Sequence, residues 1–325
     1  MVYFLRKSGE RRLLLAWFDR SKRDLPWRNT RDPYRIWVSE VMLQQTRVAA
    51  VIPYYQRFLE RFPDVQALAE APEAELLALW SGLGYYSRAR NLRKAARAIA
   101  ARGEFPSDYD AIRALPGVGD YTAAAVASIA FGLPHAVADG NVRRVLARLT
   151  RGEGDVRALA EELLDRRRPG DFNQALMELG ATVCLPRGPK CGQCPLGDIC
   201  RARAAGEAER YPRKARRAET VRVDQRLLLI RRGDRLLLRL RTEDSRQLAG
   251  FWELPEASDL PAASQNQQRG SFRHAIVHYD YRVTVWEAAM ARKPKGFRWI
   301  SPRELAGLPL TTATRKALLL AGFQL

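Results

Sequence analysis

The chain is expected to fold as two domains, an all-α domain over roughly residues 1–200 and a small α+β domain over 223–325. Three observations point there. Up to about residue 200, apolar residues recur at three-to-four spacing, the period of an amphipathic helix. Beyond residue 222 the period shortens to two, as in half-buried strands. Between them lies a charged stretch, 201–222, with eight basic and three acidic residues and Pro212, which reads as a basic linker. With 325 residues, 46% hydrophobic and 28% charged, the chain has material for two cores and is too apolar for general disorder.

The helical segments are, in order, Glu10–Arg20, Ile36–Ala50, Ala74–Trp80, Ala89–Ala101, Tyr121–Phe131 and Asn141–Thr150. Breakers separate them at Pro26, Pro53, Pro63, Pro72, Gly82–Gly84, Pro106, Pro116–Gly119, Pro134 and Pro169–Gly170. No fixed period recurs, which excludes a solenoid. In the second domain Arg226–Ile230 and Arg235–Leu240 alternate like strands around a Gly233–Asp234 turn, the pattern of a hairpin. Tyr279–Ala288 and Phe297–Ile300 are further strands, and Arg303–Ala306 and Thr314–Leu320 are helical. Ala257–Gly270 reads as a polar, poorly patterned insert.

Charge narrows the function. Lys and Arg number 55 against 36 acidic residues, a net +19, and only eight of the 55 are lysine. Guanidinium groups fork onto phosphate and stack on bases, so nucleic acid leads the candidate partners. No apolar run reaches the length of a membrane span. Met1–Arg12 alternates apolar and basic residues without the apolar stretch of a secretion signal. The expected location is therefore cytoplasmic, at the nucleoid, with a monomeric state and no membrane partner.

All four cysteines fall in one stretch, Cys184, Cys191, Cys194 and Cys200, spaced C-x6-C-x2-C-x5-C. In a cytoplasmic chain such clustering argues for metal rather than disulfides. Zinc ribbons carry two C-x2-C pairs, and only one is present.

Two further motifs carry chemistry. Leu115-Pro-Gly-Val-Gly119 precedes an Ala-rich helix, so Gly117, Val118 and Gly119 form either an ordinary interhelical turn or a backbone cradle for a DNA phosphate, aided by the helix dipole. Twenty residues beyond Gly119 stands Asp139 in Val-Ala-Asp-Gly-Asn-Val-Arg-Arg. It either caps the following helix or faces a developing positive charge. In Ser39-Glu-Val-Met-Leu-Gln-Gln-Thr46, Glu40 shares a helix face with Ile36, Trp37, Leu43 and Gln44. A carboxyl on that mostly apolar face should resist ionisation, and its raised pKa would suit proton donation; a surface ion pair is the alternative.

Hairpin, Ala-rich helix and following Asp together resemble the helix–hairpin–helix superfamily of base-excision DNA glycosylases, in which that Asp is essential. The cysteine spacing is similar to the [4Fe–4S] loop of its endonuclease III and MutY-type branches. The octapeptide around Glu40 resembles the adenine-specific MutY-type branch, whose catalytic acid falls on Glu40. The resemblance implies roles residue by residue. Arg23, Leu25, Trp27 and Arg28, in Arg-Asp-Leu-Pro-Trp-Arg, would close over an extruded adenine. Leu83 and Tyr85, in Gly82-Leu-Gly-Tyr-Tyr-Ser-Arg88, would wedge into the base stack with Gln45. Gln174 would meet the adenine edge, and Asn141 and Tyr121 would orient the acid and the Asp. Where bifunctional lyases place a Schiff-base lysine, this chain has Tyr121 between Asp120 and Thr122, which implies a monofunctional glycosylase.

The second domain resembles the Nudix-like domain appended to that branch, through Leu248-Ala-Gly-Phe-Trp-Glu-Leu-Pro255. A hydrolytic Nudix site needs a Gly-x5-Glu-x7-Arg-Glu-x2-Glu-Glu box for Mg²⁺, and Arg303-Glu304 is its nearest fragment. The domain should therefore bind and not cleave. Phe272-Arg-His-Ala-Ile-Val-His-Tyr279 resembles the family's 8-oxoguanine loop, commonly ending Phe-Ser-His; His278 is kept, while Val277 replaces the Ser and Ile276 the Phe. The implied substrate is duplex DNA with adenine opposite 8-oxoguanine or guanine. Alternatives are a bifunctional lyase for oxidised pyrimidines, a zinc-bearing DNA-binding protein and a hydrolase for damaged nucleotides.

Overall fold

The computed structural model describes residues 7–213, 220–242, 245, 248–276 and 278–324; Met1–Arg6 and Val277, each given a reading above, lie outside them. The chain divides into two compact units, Met1–Glu70 with Asn91–Arg216, and Ala71–Arg90 with Arg217–Leu325. The first is helical: α1 (Lys7–Ser21), α2 (Pro33–Leu43), α3 (Val48–Arg61), α4 (Val65–Glu70), most of α6 (Ser87–Arg102), α7 (Tyr109–Arg113), α8 (Asp120–Phe131), α9 (Gly140–Leu149), α10 (Val156–Leu163), α11 (Pro169–Thr182) and α12 (Arg201–Ala204). The second contains α5 (Glu73–Trp80), the first turn of α6, strands β1 (Val221–Arg232), β2 (Arg235–Leu240), β3 (Trp252–Glu253), β4 (Ser264–Ile276), β5 (Tyr279–Ala289) and β6 (Phe297–Ile300), then α13 (Pro302–Ala306) and α14 (Thr312–Leu320). No helix among the described residues is long and apolar enough to cross a membrane.

Local chemistry starts the helices that matter for the site. Asp32 accepts from the Tyr34 N–H at 2.9 Å and Pro33 occupies the first position of α2. Asp139 does the same for α9, accepting from the Val142 N–H at 2.7 Å. Gly119 opens α8, whose residues Thr122–Ser128 are all buried, and Gly132 ends it with φ +70°. Small residues let these helices approach closely. A Cβ on Gly170 of α11 would stand 2.6 Å from the Ser128 carbonyl oxygen of α8, and one on Gly180 would meet Asn141 Cβ of α9 at 2.5 Å. Around these crossings lies a core including Leu14, Phe18, Val142, Leu146, Phe172, Leu176 and Leu179.

Several expectations need correction. Ile36–Ala50 is two helices, α2 and α3, because the backbone turns at Gln44–Arg47, with Gln45 left-handed at φ +56°. Apolar spacing runs through the break since both helices face inward. Pro53 does not end a helix; it sits inside α3, exposed to water like Ala49, the residue its missing N–H would have bonded. Residues 201–211 are not free linker: Ala202 and Tyr211 pack on Ala147, and Arg148 Nε donates to the Tyr211 carbonyl at 3.0 Å. Residues 214–219 lie outside the described ones. Most of the supposed insert's second half is strand β4, at the edge of the sheet, where bulges and one open side tolerate its Gln-rich sequence.

The sheet runs β3-β2-β1-β5-β4 with β6 beside β2. β1 and β2 form the antiparallel hairpin, while β1 and β5 pair in parallel from Val221↔Tyr279 to Ile230↔Ala288. Over Leu227–Ile230 β1 is buried on both faces, which accounts for its Leu-Leu-Leu-Ile run. Leu227 and Leu229 face α14 through Ala317 and Leu318, and Leu228 and Ile230 face Phe297 and Ala288. Glu304 closes a capping box with Ser301 at the start of α13, a structural task separate from any metal box.

Gly170→Ala should destabilise the protein by about 1–3 kcal/mol, since the new methyl meets backbone that cannot swing aside; urea unfolding with an unchanged midpoint would refute the close approach.

Candidate active site

One cavity, about 640 Å³, opens among α2, α8, α9, α11 and the 3-10 turn at Pro26–Arg28. It gathers Arg23, Leu25, Trp27, Arg28, Glu40, Gln45, Gly117, Gly119, Tyr121, Asp139, Asn141 and Gln174, twelve of the residues singled out from sequence. Its wall is completed by Ile36, Leu43, Ile129 and Met177 among others.

Glu40 is 5% exposed. The Tyr121 hydroxyl donates to its Oε2 at 2.6 Å and also lies 3.3 Å from Met177 Sδ. Burial pushes the Glu40 carboxyl up to about 7, against the Tyr121 hydrogen bond, with the Asp139 charge adding to the rise and Arg28 opposing it. Tyr121 is itself held well above the ordinary phenol range, first by burial and then by Glu40 and Asp139. Asp139 is raised by burial, while the Val142 and Asn141 hydrogen bonds pull it back. The cap and the cavity-facing group are thus one residue: Oδ1 takes the Val142 N–H, and Oδ2 accepts from Asn141 Nδ2 at 3.0 Å.

Two residues that sequence reasoning passed over hold this arrangement. Glu178 is fully buried and accepts from Arg23 Nε and Nη2 and from Arg28 Nη2, each at 2.7 Å. Burial alone would raise its carboxyl, but these hydrogen bonds prevail and hold it at about 2. Arg23 and Arg28 therefore shape the wall as an ion-paired unit. Trp27 is buried with its ring edge-on to Tyr55. Arg144 bonds Asn141 Oδ1 at 2.8 Å, the Gly180 carbonyl at 2.8 Å and the Cys184 carbonyl at 2.8 Å. A chain of hydrogen bonds thus runs from Asp139 through Asn141 and Arg144 to the cysteine loop. The signals were present: Glu178 lies one helical turn beyond Gln174, and Arg144 closes the Asp139 motif.

The hairpin turn has Gly117 at φ +75°, where a Cβ would strike Asn91 at 2.5 Å. Val118 is buried and its N–H closes the turn onto the Leu115 carbonyl at 3.1 Å. Leu83, Tyr85 and His278 belong to the second unit. Tyr85 is 47% exposed with φ +48°, whereas Leu83 is 7% exposed. The Leu83 N–H bonds the Trp80 carbonyl at 3.1 Å. The His278 ring lies 4.2 Å from that of Tyr279, and its carbonyl accepts from the Val221 N–H.

The four cysteines, none in a disulfide, line one small cavity of about 20 Å³ with Arg148 and Arg203. Arg148, fully buried, donates to the Leu185 carbonyl at 2.7 Å and reaches Cys184 Sγ at 3.3 Å. Burial, with smaller contributions from the other three thiols, raises the Cys194 thiol to about 11, so a metal must displace its proton. Among the described residues no three Cys, His, Asp or Glu side chains stand as the ligand set of a single ion. Four thiols are the donor set that an iron–sulfur cluster takes.

Fold and site define a base-excision repair protein of the helix–hairpin–helix class. Residues 38–169 match the HhH-GPD superfamily of base excision DNA repair proteins, and 226–320 match the NUDIX domain. The structure of a thermostable thymine-DNA glycosylase superposes with a TM-score of 0.57 at 32% identity, over 61% of this chain and 97% of that one. An adenine DNA glycosylase of Mus musculus is 36% identical over 93% of this chain and 76% of its own length, and one of Homo sapiens is 35% identical over 93% and 72%. The chain belongs to the adenine DNA glycosylase family, as the Ser39–Thr46 and Asp139 motifs led one to expect.

Glu178→Gln should destabilise the fold by about 3–5 kcal/mol, because it leaves two guanidinium groups against an uncharged, buried partner. With the folded carboxyl near 2 and the unfolded one at 4.5, its contribution is full above pH 4.5 and fades as pH falls toward 2. Denaturant titrations of both proteins at neutral and acid pH test this; a difference that stays constant down to pH 2 would contradict it.

Proposed function

We propose that this chain is a monofunctional adenine DNA glycosylase that releases adenine mispaired with 8-oxoguanine, or with guanine, from duplex DNA. The observation that carries the reading is the buried Glu40 carboxyl, hydrogen-bonded to Tyr121, sharing a cavity with Asp139. A base excised from a duplex must first leave the stack, at a cost of a few kcal/mol that is least at a mispair. A cavity of about 640 Å³ lined by Leu25, Trp27 and Gln174 has room for a purine.

Glu40, protonated near neutral pH, would donate to adenine N7 and turn the base into a neutral leaving group. The N-glycosidic bond then lengthens toward an oxocarbenium-like sugar, which the Asp139 carboxylate stabilises by charge or by a transient bond. Asn141 holds Asp139 in place. Glu40, now ionised, helps deliver water to the sugar. Among the described residues that line the cavity none is lysine, which supports base release without a Schiff base.

The family resemblance implies a [4Fe–4S] cluster, and Cys184, Cys191, Cys194 and Cys200 would hold it. Such a cluster supplies a rigid cross-link for the loop. In that loop Arg144 and Arg148 fasten the backbone carbonyls of Cys184 and Leu185. In the second unit, lesion reading would fall to His278 and neighbouring backbone, as expected where Val277 replaces Ser.

Single-turnover assays on duplexes bearing adenine opposite 8-oxoguanine, guanine, cytosine and thymine test the substrate, with and without alkali. Strand breaks only after alkali support base release alone; breaks without alkali would favour a lyase. Glu40→Gln should lower the excision rate by at least about 100-fold with duplex affinity retained, and wild-type turnover would remove Glu40 from the chemistry. Because Glu40 acts protonated and its pKa is about 7, excision by the native protein should fall as pH rises through 7. A rate that climbs across that range would contradict the acid role.

A further inference from the structure

The segment that presents Tyr85 is built into the same compact unit as the Nudix-like sheet. Three contacts join them. The Tyr86 ring lies on Phe251, centroids 4.0 Å apart, and both residues are buried. Arg90 donates to the Ala249 carbonyl and pairs with Glu73 at 2.7 Å. Arg315 of α14 donates to Ser81 Oγ at 3.2 Å. The turn receiving the first two contacts is itself tightly specified, with Leu248 at φ +56° and Gly250 at φ +77°, where a Cβ would stand 3.2 Å from Arg90 Nη2.

On the loop's own side, Arg88 donates to the Leu83 and Gly84 carbonyls, both at 3.2 Å, and its guanidinium lies 5.5 Å from the ring centroids of both Trp80 and Tyr85. Trp80 Nε1 adds a bond to the Gly84 carbonyl at 3.2 Å. Tyr85 thus holds a left-handed backbone that a bulky residue keeps only when its surroundings over-determine it.

We propose that Phe251, with Arg315, is a positioning residue for Tyr85: the Nudix-like domain carries the 81–90 loop and thereby sets the approach of the ring that enters the base stack. The proposal rests on the glycosylase reading, in which Tyr85 is that ring. Neither Phe251 nor Arg315 need touch DNA. Both act by fixing the loop from behind, which saves the ordering that a mobile loop would require on binding.

The test is a double-mutant cycle in the full chain, read by the fluorescence rise of 2-aminopurine replacing the target adenine opposite 8-oxoguanine. Tyr85→Ala and Phe251→Ala should each reduce the rise at saturating protein by at least about half, and Phe251→Ala should add nothing once Tyr85 is Ala, as for residues acting as one unit. Arg315→Gln, which removes the bond to Ser81 together with the charge, supplies a second cycle where Phe251→Ala folds poorly. Additive losses would mark Phe251 and Arg315 as general supports and overturn the proposal, as would undiminished fluorescence in the single variants. A native protein that neither raises the fluorescence nor excises adenine would instead defeat the glycosylase reading beneath it. Native activity with additive losses defeats this inference alone.

Discussion

A carboxyl kept from ionising by its surroundings is the constraint around which the helical unit is organised. Glu40 has almost no water, a phenol at 2.6 Å and a second carboxyl sharing the cavity. Each of these has a backbone cause. α2 places Glu40 inward because its neighbours on that face are apolar, and α8 places Tyr121 opposite because it starts at the glycine turn two residues earlier. Asp139 is pinned by the N-terminus of α9, which it caps. Burial is the largest influence on all three groups.

Charge around the cavity is managed by pairing. Glu178 draws Arg23 and Arg28 together, so the Arg28 guanidinium, which acts on Glu40, has its charge largely answered. Unpaired, it would pull the Glu40 carboxyl further toward ionisation. On the opposite side Arg144 bridges Asn141 and the Cys184 carbonyl. The cysteine loop is therefore part of the support for Asp139, and not a separate appendage.

The second unit has the sheet of a NUDIX domain. Its last strands and α14 keep the core of a Nudix-like fold, while Glu304 serves a helix cap and residues 257–263 form a short connection. The domain's distinctive contacts are instead with 71–90, through Tyr86, Arg90 and Ser81.

Helix and strand periods, the clustered cysteines and the motifs around Glu40, Gly117 and Asp139 were legible along the chain, because each depends on spacing within one element or one turn. Spacing could not reveal that Gln44–Arg47 breaks a helix, that Ser264–Ile276 is an edge strand, or that β1 and β5 run parallel. Those outcomes depend on which partner lies across the gap. The same holds for Glu178, whose role exists only where Arg23 and Arg28 arrive from some 150 residues away, and for the joining of 71–90 to the C-terminal sheet. Local backbone preference and side-chain period are written in consecutive residues. Burial, ion pairing and the pKa of a carboxyl belong to distances that only the folded chain creates.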